Sequence, residues 1–133
     1  MIVRKAPMIA LSVPRRVMVP PMADGTIPPA DVLALGSLLA YAEQGIASRV
    51  LAKTAGGNVT LFAFDAGQGL SEHTAPFDAL VFVVEGALAL TVSGHAAVAT
   101  PGTVVRMPAN VPHALEATAR TKMLLVMLRS PDA

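Results

Sequence analysis

Residues 69 to 86 read GLSEHTAPFDALVFVVEG. The second half, ALVFVVEG, is a run of apolar, β-branched and aromatic residues closed by glycine, which is the composition of a strand. Alternation sends Ala79, Val81 and Val83 to one face and Leu80, Phe82 and Val84 to the other. Both faces are apolar. The run KMLLVML, residues 122 to 128, repeats the pattern, with Met123, Leu125 and Met127 opposed to Leu124, Val126 and Leu128. A barrel wall needs only its inner face apolar. The outer face is therefore expected to meet a second copy of the chain.

Working outward, strand-length runs and turns fill the chain from residue 46 on. They are IASRVLAKT, the turn Ala55 to Asn58, VTLFAF, SEHTA, ALVFVVEG, ALALTVSG, HAAVAT, the Pro101–Gly102 turn, TVVRMP and RTKMLLVML. No helical run separates them, which predicts an antiparallel sandwich or barrel. Residues 31 to 45, DVLALGSLLAYAEQG, place Val32, Leu35 and Leu39 at helical spacing behind a candidate N-cap, Asp31. Gly36 weakens this pattern and Gly45 ends it, so a short helix or one or two turns is predicted. Six of the eleven prolines fall in residues 1 to 30. That segment is expected to be an extended arm, either mobile or laid across a partner subunit. The division is thus an arm over 1–30 and a single barrel domain over 31–133.

A chain of 133 residues supports one core. With 53% apolar residues and only 14% charged, apolar side chains are left over after the core is built, which favours self-association. Net charge is +1, there is no long basic run, and aromatics are 4%, so nucleic acid is not expected as a partner. Arg15 and Arg16 stand as an isolated pair. The absence of cysteine excludes disulfides, thiolate nucleophiles and zinc–thiolate sites. The longest apolar runs are strand-length, so no membrane span is expected. Pro7, Pro14 and Arg15–Arg16 interrupt the N-terminal apolar stretch, which argues against a signal peptide and for a cytoplasmic protein.

Two segments carry the candidate chemistry. Gly67 is followed after five residues by His73, and Gly86 closes that segment seven positions after Ala79. Gly102 is followed after five residues by Pro108, then by Asn110 and His113. This spacing resembles the paired motifs of the cupin superfamily: Gly, five residues, His-x-His, three or four residues, Glu, six residues, Gly; then Gly, five residues, Pro-x-Gly, two residues, His, three residues, Asn. PANVPHA, residues 108 to 114, is similar to the form many small cupins show. The resemblance runs from about Gly57 to Leu128 and is strongest to single-domain bacterial cupins. It implies an all-β fold, the cupin-type double-stranded β-helix or jelly-roll barrel, here with an extended N-terminal arm and a short helix.

The departures bear on function. The second histidine of His-x-His is Ala75, the glutamate position is Ala79, the glycine after the proline is Asn110, and the final asparagine is Ala117. Of the four metal-ligand positions that the resemblance implies, His73 and His113 remain. Period two puts Ala75 on the face of His73, where a ligand would have pointed. Two imidazoles and water hold an ion far more weakly than about four protein donors. Glu72 is expected to face away, Asp78 and Glu116 are out of phase, and Gln68, Met107 and Met123 are poor ligands for hard divalent ions. No cofactor is therefore expected, with a divalent Mn, Fe, Ni or Zn ion on His73 and His113 as the competing possibility. His95 falls in a turn and is expected to be exposed; Tyr41 is given no role.

The expected pocket comprises His73, Ala75, Ala79, Val81, Val83, Met107 and His113, with Leu88, Leu90 and Val105 as further lining. Methyl groups in place of two ligands leave a dry cavity suited to a small, largely apolar molecule with one polar end near the histidines. The expected function is small-molecule binding by a homodimer, paired through its outer strand faces and the arm. The alternative is an enzyme: of dioxygenase or isomerase type with a metal, or of epimerase type with histidine as general base. Against the latter, no partner acid or arginine clamp is evident, and alternation turns Arg106 outward. A purely structural or interaction protein is the third reading.

Overall fold

Nine strands follow one another in the computed structural model, which describes residues 25–129. They are β1 (Ile46–Thr54), β2 (Gly57–Phe64), β3 (Gly69–His73), β4 (Asp78–Glu85), β5 (Leu88–Val92), β6 (His95–Ala99), β7 (Val104–Met107), β8 (His113–Ala117) and β9 (Thr121–Leu128). The arm expected over 1–30 lies largely outside the described residues. A five-stranded sheet, in the order β1-β2-β9-β4-β7, packs on a four-stranded sheet, β3-β8-β5-β6. All pairings are antiparallel. This is the all-β architecture that the strand runs predict.

β4 and β9 lie inside the larger sheet because both of their faces are apolar. Their registers pair Val81 with Leu125 and Val83 with Met123 on the inner face. There they meet Leu88, Leu90, Leu115 and Ala117 of the smaller sheet, and Phe64 closes the same core. Val81 and Leu88 are fully buried. Each such side chain contributes about 1.5–3 kcal/mol over leaving it in water.

The outer face of the larger sheet is partly roofed by the chain itself. Lys122 donates from Nζ to the carbonyl of Gly36. Arg49 donates to the carbonyls of Gly25 (2.8 Å) and Leu38 (3.2 Å). Tyr41 donates its hydroxyl to Oε2 of Glu85 at 2.7 Å. Leu61 and Ala63 share the outer face with Leu124 and Lys122 by register, yet are fully buried. Farther along that face Phe82, Val104 and Leu128 stay exposed.

Two elements add to the runs read in the sequence. Over 31–45 the expected short helix or one or two turns is a single 3₁₀ turn, Leu35–Ser37, preceded by Ala34 rather than capped by Asp31. Val32 is 97% exposed and forms no apolar stripe. Lys122 and Arg49 take the carbonyls of Gly36 and Leu38, which a continuing α-helix would have spent internally. The second is β8, which is not among the predicted strand runs and pairs with both β3 and β5. Gly86, between β4 and β5, is required as glycine: its φ is +87°, and a Cβ there would lie 2.2 Å from the carbonyl oxygen of Arg120.

Candidate functional site

His73 ends β3 and His113 opens β8, and the antiparallel pairing puts them directly opposite. A register shift between Leu70 and His73 re-aims the end of β3. Both rings then turn to each other, with Nε2 atoms 3.1 Å apart, centroids 4.3 Å apart and planes at 70°. Backbone holds the other edge of each ring. Nδ1 of His73 lies 2.7 Å from the carbonyl of Ser71, and Nδ1 of His113 lies 3.0 Å from that of Val111. His113 is buried and His73 is exposed, so the pair runs from the wall of the sandwich to its rim.

The loop before β8 is stiffened by Pro108 and Pro112 and tied at two points. The amide of Asn110 donates to the carbonyl of Ala75 at 2.7 Å. The amide of Ala109 donates to Oδ1 of Asp78 at 2.9 Å. Asn110 has φ +63°, a left-handed conformation that asparagine tolerates better than most residues and that a glycine at this position would adopt freely. The Ala109 amide, and after it Arg106, hold the Asp78 carboxyl below the usual carboxylate range.

Beneath the rings lies a cavity of about 170 Å³. Ala75, Ala79 and Met107 line it together with both histidines. Leu70, Phe77, Leu115, Leu125 and Met127 complete the wall. Those five were not anticipated; Leu125 and Met127 do share the predicted inner face of β9, which was the available signal. Val81, Val83, Leu88 and Leu90 lie in the buried core cluster, with Val105 packed against it. Alternation had assigned their face, but it carries no information on depth along the strand.

Other polar residues stand apart. Asp78 and Arg106 engage each other at 3.4 Å, where both are largely solvent-exposed. Glu72 is exposed. Glu116 borders a wider open trough of about 730 Å³ on the outer face of the smaller sheet. Two cross-strand rows floor that trough: Gly69–Glu116–Ala89–Val98, and Ala114–Thr91–Ala96. It is the larger depression, but neither His73 nor His113 lines it. His95 opens β6 and is exposed. Tyr41 lies outside the cavity and fastens the segment that roofs the larger sheet.

The donor set does not make a conventional ion site. Among the described residues no three His, Cys, Asp or Glu side chains gather closely enough to hold a metal. Ala75 and Ala79 line the cavity with methyl groups where further ligands would stand, and the Asp78 carboxylate is already taken by Ala109 and Arg106. Two imidazoles alone fall short of the three or four protein donors such centres use.

The family model described as "Cupin domain" matches residues 60–128. A conserved protein of unknown function from Streptococcus pyogenes is 31% identical, with a TM-score of 0.75, over 79% of this chain and 92% of that one. A cupin superfamily protein from Desulfitobacterium hafniense is 28% identical, with a TM-score of 0.74, over 79% of this chain and 96% of that one. A Cupin 2 conserved barrel domain protein from Leptotrichia buccalis is 35% identical, with a TM-score of 0.68, over 71% of this chain and 46% of that one. No functionally curated protein matches. Among the described residues no helix is long and apolar enough to cross a membrane.

Proposed function

The chain belongs to the cupin domain family, and from that premise we propose that it is a small-molecule-binding member working without a complete metal centre. Its ligand is compact and largely apolar, held by one polar end at His73 and His113. One observation carries this reading: the cavity of about 170 Å³ is walled by apolar side chains, and among the described residues the only polar side chains lining it are the two imidazoles. A cavity of roughly 150 Å³ with comparable walls takes benzene, so the guest is about one ring in size.

The protein works as a homodimer in this reading. Support comes from Phe82, Val104 and Leu128, exposed on the outer face of the larger sheet, since apolar side chains grouped on one surface favour burial against a partner.

Elemental analysis of protein purified without chelator, together with thermal denaturation in the presence of small lipophilic molecules, tests the function. The expected result is substoichiometric metal and a melting temperature that climbs with ligand concentration. Stoichiometric metal that disappears in His113→Ala would establish a metal centre instead.

A further inference from the structure

The larger sheet sets two thioethers on either side of a methyl group. Its register places Met107 of β7 and Met127 of β9 as the two neighbours of Ala79 in β4. All three side chains line the cavity. The next row, Val105–Val81–Leu125, is aliphatic throughout. Met123, on the same face of β9, is fully buried in the core cluster and is not part of the cavity wall. Neighbouring strands lie about 4.8 Å apart. A ring centred over the Ala79 methyl therefore stands about 5 Å from each flanking strand, the separation at which a thioether sulfur contacts an aromatic ring favourably. The rotatable bonds of methionine let each sulfur settle against the ring edge it is offered. Phe77, two residues before Ala79 and so on the same face, lines the cavity as well. Its ring packs on a second ring edge to face or offset, a contact that a saturated body does not return.

We propose, resting on the small-molecule reading above, that the apolar body of the ligand is an aromatic ring, held between Met107 and Met127 over Ala79, and not a saturated ring or an aliphatic chain. An aliphatic wall ranks guests of similar outline by the apolar surface they bury, and so favours the saturated ring, the more hydrophobic of the two. Sulfur and ring contacts reverse that order, because an aromatic guest has a polarised face and edge and a saturated one has neither. Neither contact depends on the protonation of His73 or His113. Ala79 makes the room: a longer side chain there would fill the space between the two methionines.

The test compares benzyl alcohol with cyclohexylmethanol, which share one polar end and differ in the ring alone. Each is titrated into the whole chain carrying methyl-labelled methionine, and the methyl resonances are followed by NMR. The single variants Met107→Leu and Met127→Leu assign the two signals. Benzyl alcohol is expected to bind at least as tightly as cyclohexylmethanol, and to move the Met107 and Met127 resonances while that of Met123 stays. Replacing both methionines by leucine conserves volume and is expected to lower the preference for benzyl alcohol about threefold or more. Tighter binding of cyclohexylmethanol to the native chain would overturn the aromatic assignment and leave the small-molecule reading standing. An unchanged preference in a folded double variant would do the same, and the comparison on the native chain decides alone where that variant does not fold. Movement of neither resonance with either alcohol would overturn both.

Discussion

Asp78 serves the cavity without entering it. Its carboxylate accepts from the Ala109 amide and so fixes the loop that delivers His113. Asp65 does comparable work at the opposite end, accepting from the amides of Gln44 and Ala66 and from Arg120. The Gln44 amide first, then Arg120, hold Asp65 below its ordinary value, as the Ala109 amide does for Asp78. A carboxyl depressed in the folded state contributes stability that is fully present above its unfolded value, near 3.8, and is lost as pH falls through the lower folded value. Stability is therefore expected to drop as the medium is acidified below about pH 4. Urea denaturation at stepped pH checks this, and Asp65→Asn and Asp78→Asn are each expected to flatten the acid limb. Neither role was legible in the sequence, because an aspartate's partners here are backbone amides from distant loops. Asn110 was legible only as a departure from a motif; its φ identifies it as a conformational equivalent of the missing glycine.

Among the elements, β1 was readable to the residue, and β4 and β9 nearly so, because apolar β-branched runs between glycines leave little choice. β8 was not. Its sequence, HALEA, contains no β-branched residue and several helix formers. Two neighbours with free edges, β3 and β5, draw it into the sheet, and that information is tertiary. The same limit explains why residues 31 to 45 form one turn and no longer helix: the carbonyls of Gly36 and Leu38 are claimed from a distance by Lys122 and Arg49. Tyr41 is the fastening of that roofing segment. Burial, and then its bond to Glu85, push its phenol far above the ordinary range, so it remains a donor at any working pH. Arg120 and Lys122 reinforce it, their cationic groups lying 5.1 and 4.7 Å from the Tyr41 ring centre. Tyr41→Phe keeps the ring and removes the hydroxyl, and is expected to cost about 1 kcal/mol in equilibrium unfolding.

For the molecule as a whole, composition foretold that apolar surface would outrun the core, and the outer face of the larger sheet is where part of it lies. Phe82 is 37% exposed, Val104 54% and Leu128 50%. If two copies pair there, Phe82→Glu is expected to convert the dimer to a monomer in analytical ultracentrifugation, with the strand content by circular dichroism unchanged. Oligomeric state at the concentration used for binding is the measurement that decides it. Residues 25 to 45 already lie over that sheet, reaching β1 at Arg49, β9 at Lys122 and β4 at Glu85. Any such pairing is thus off-centre, its twofold axis displaced toward β7 and the Leu128 end of β9. The smaller sheet of each copy then faces away from the seam, and an exposed residue on its outer face, such as Val98, offers an attachment point for a fluorescent label that leaves both the seam and the histidine-lined cavity untouched.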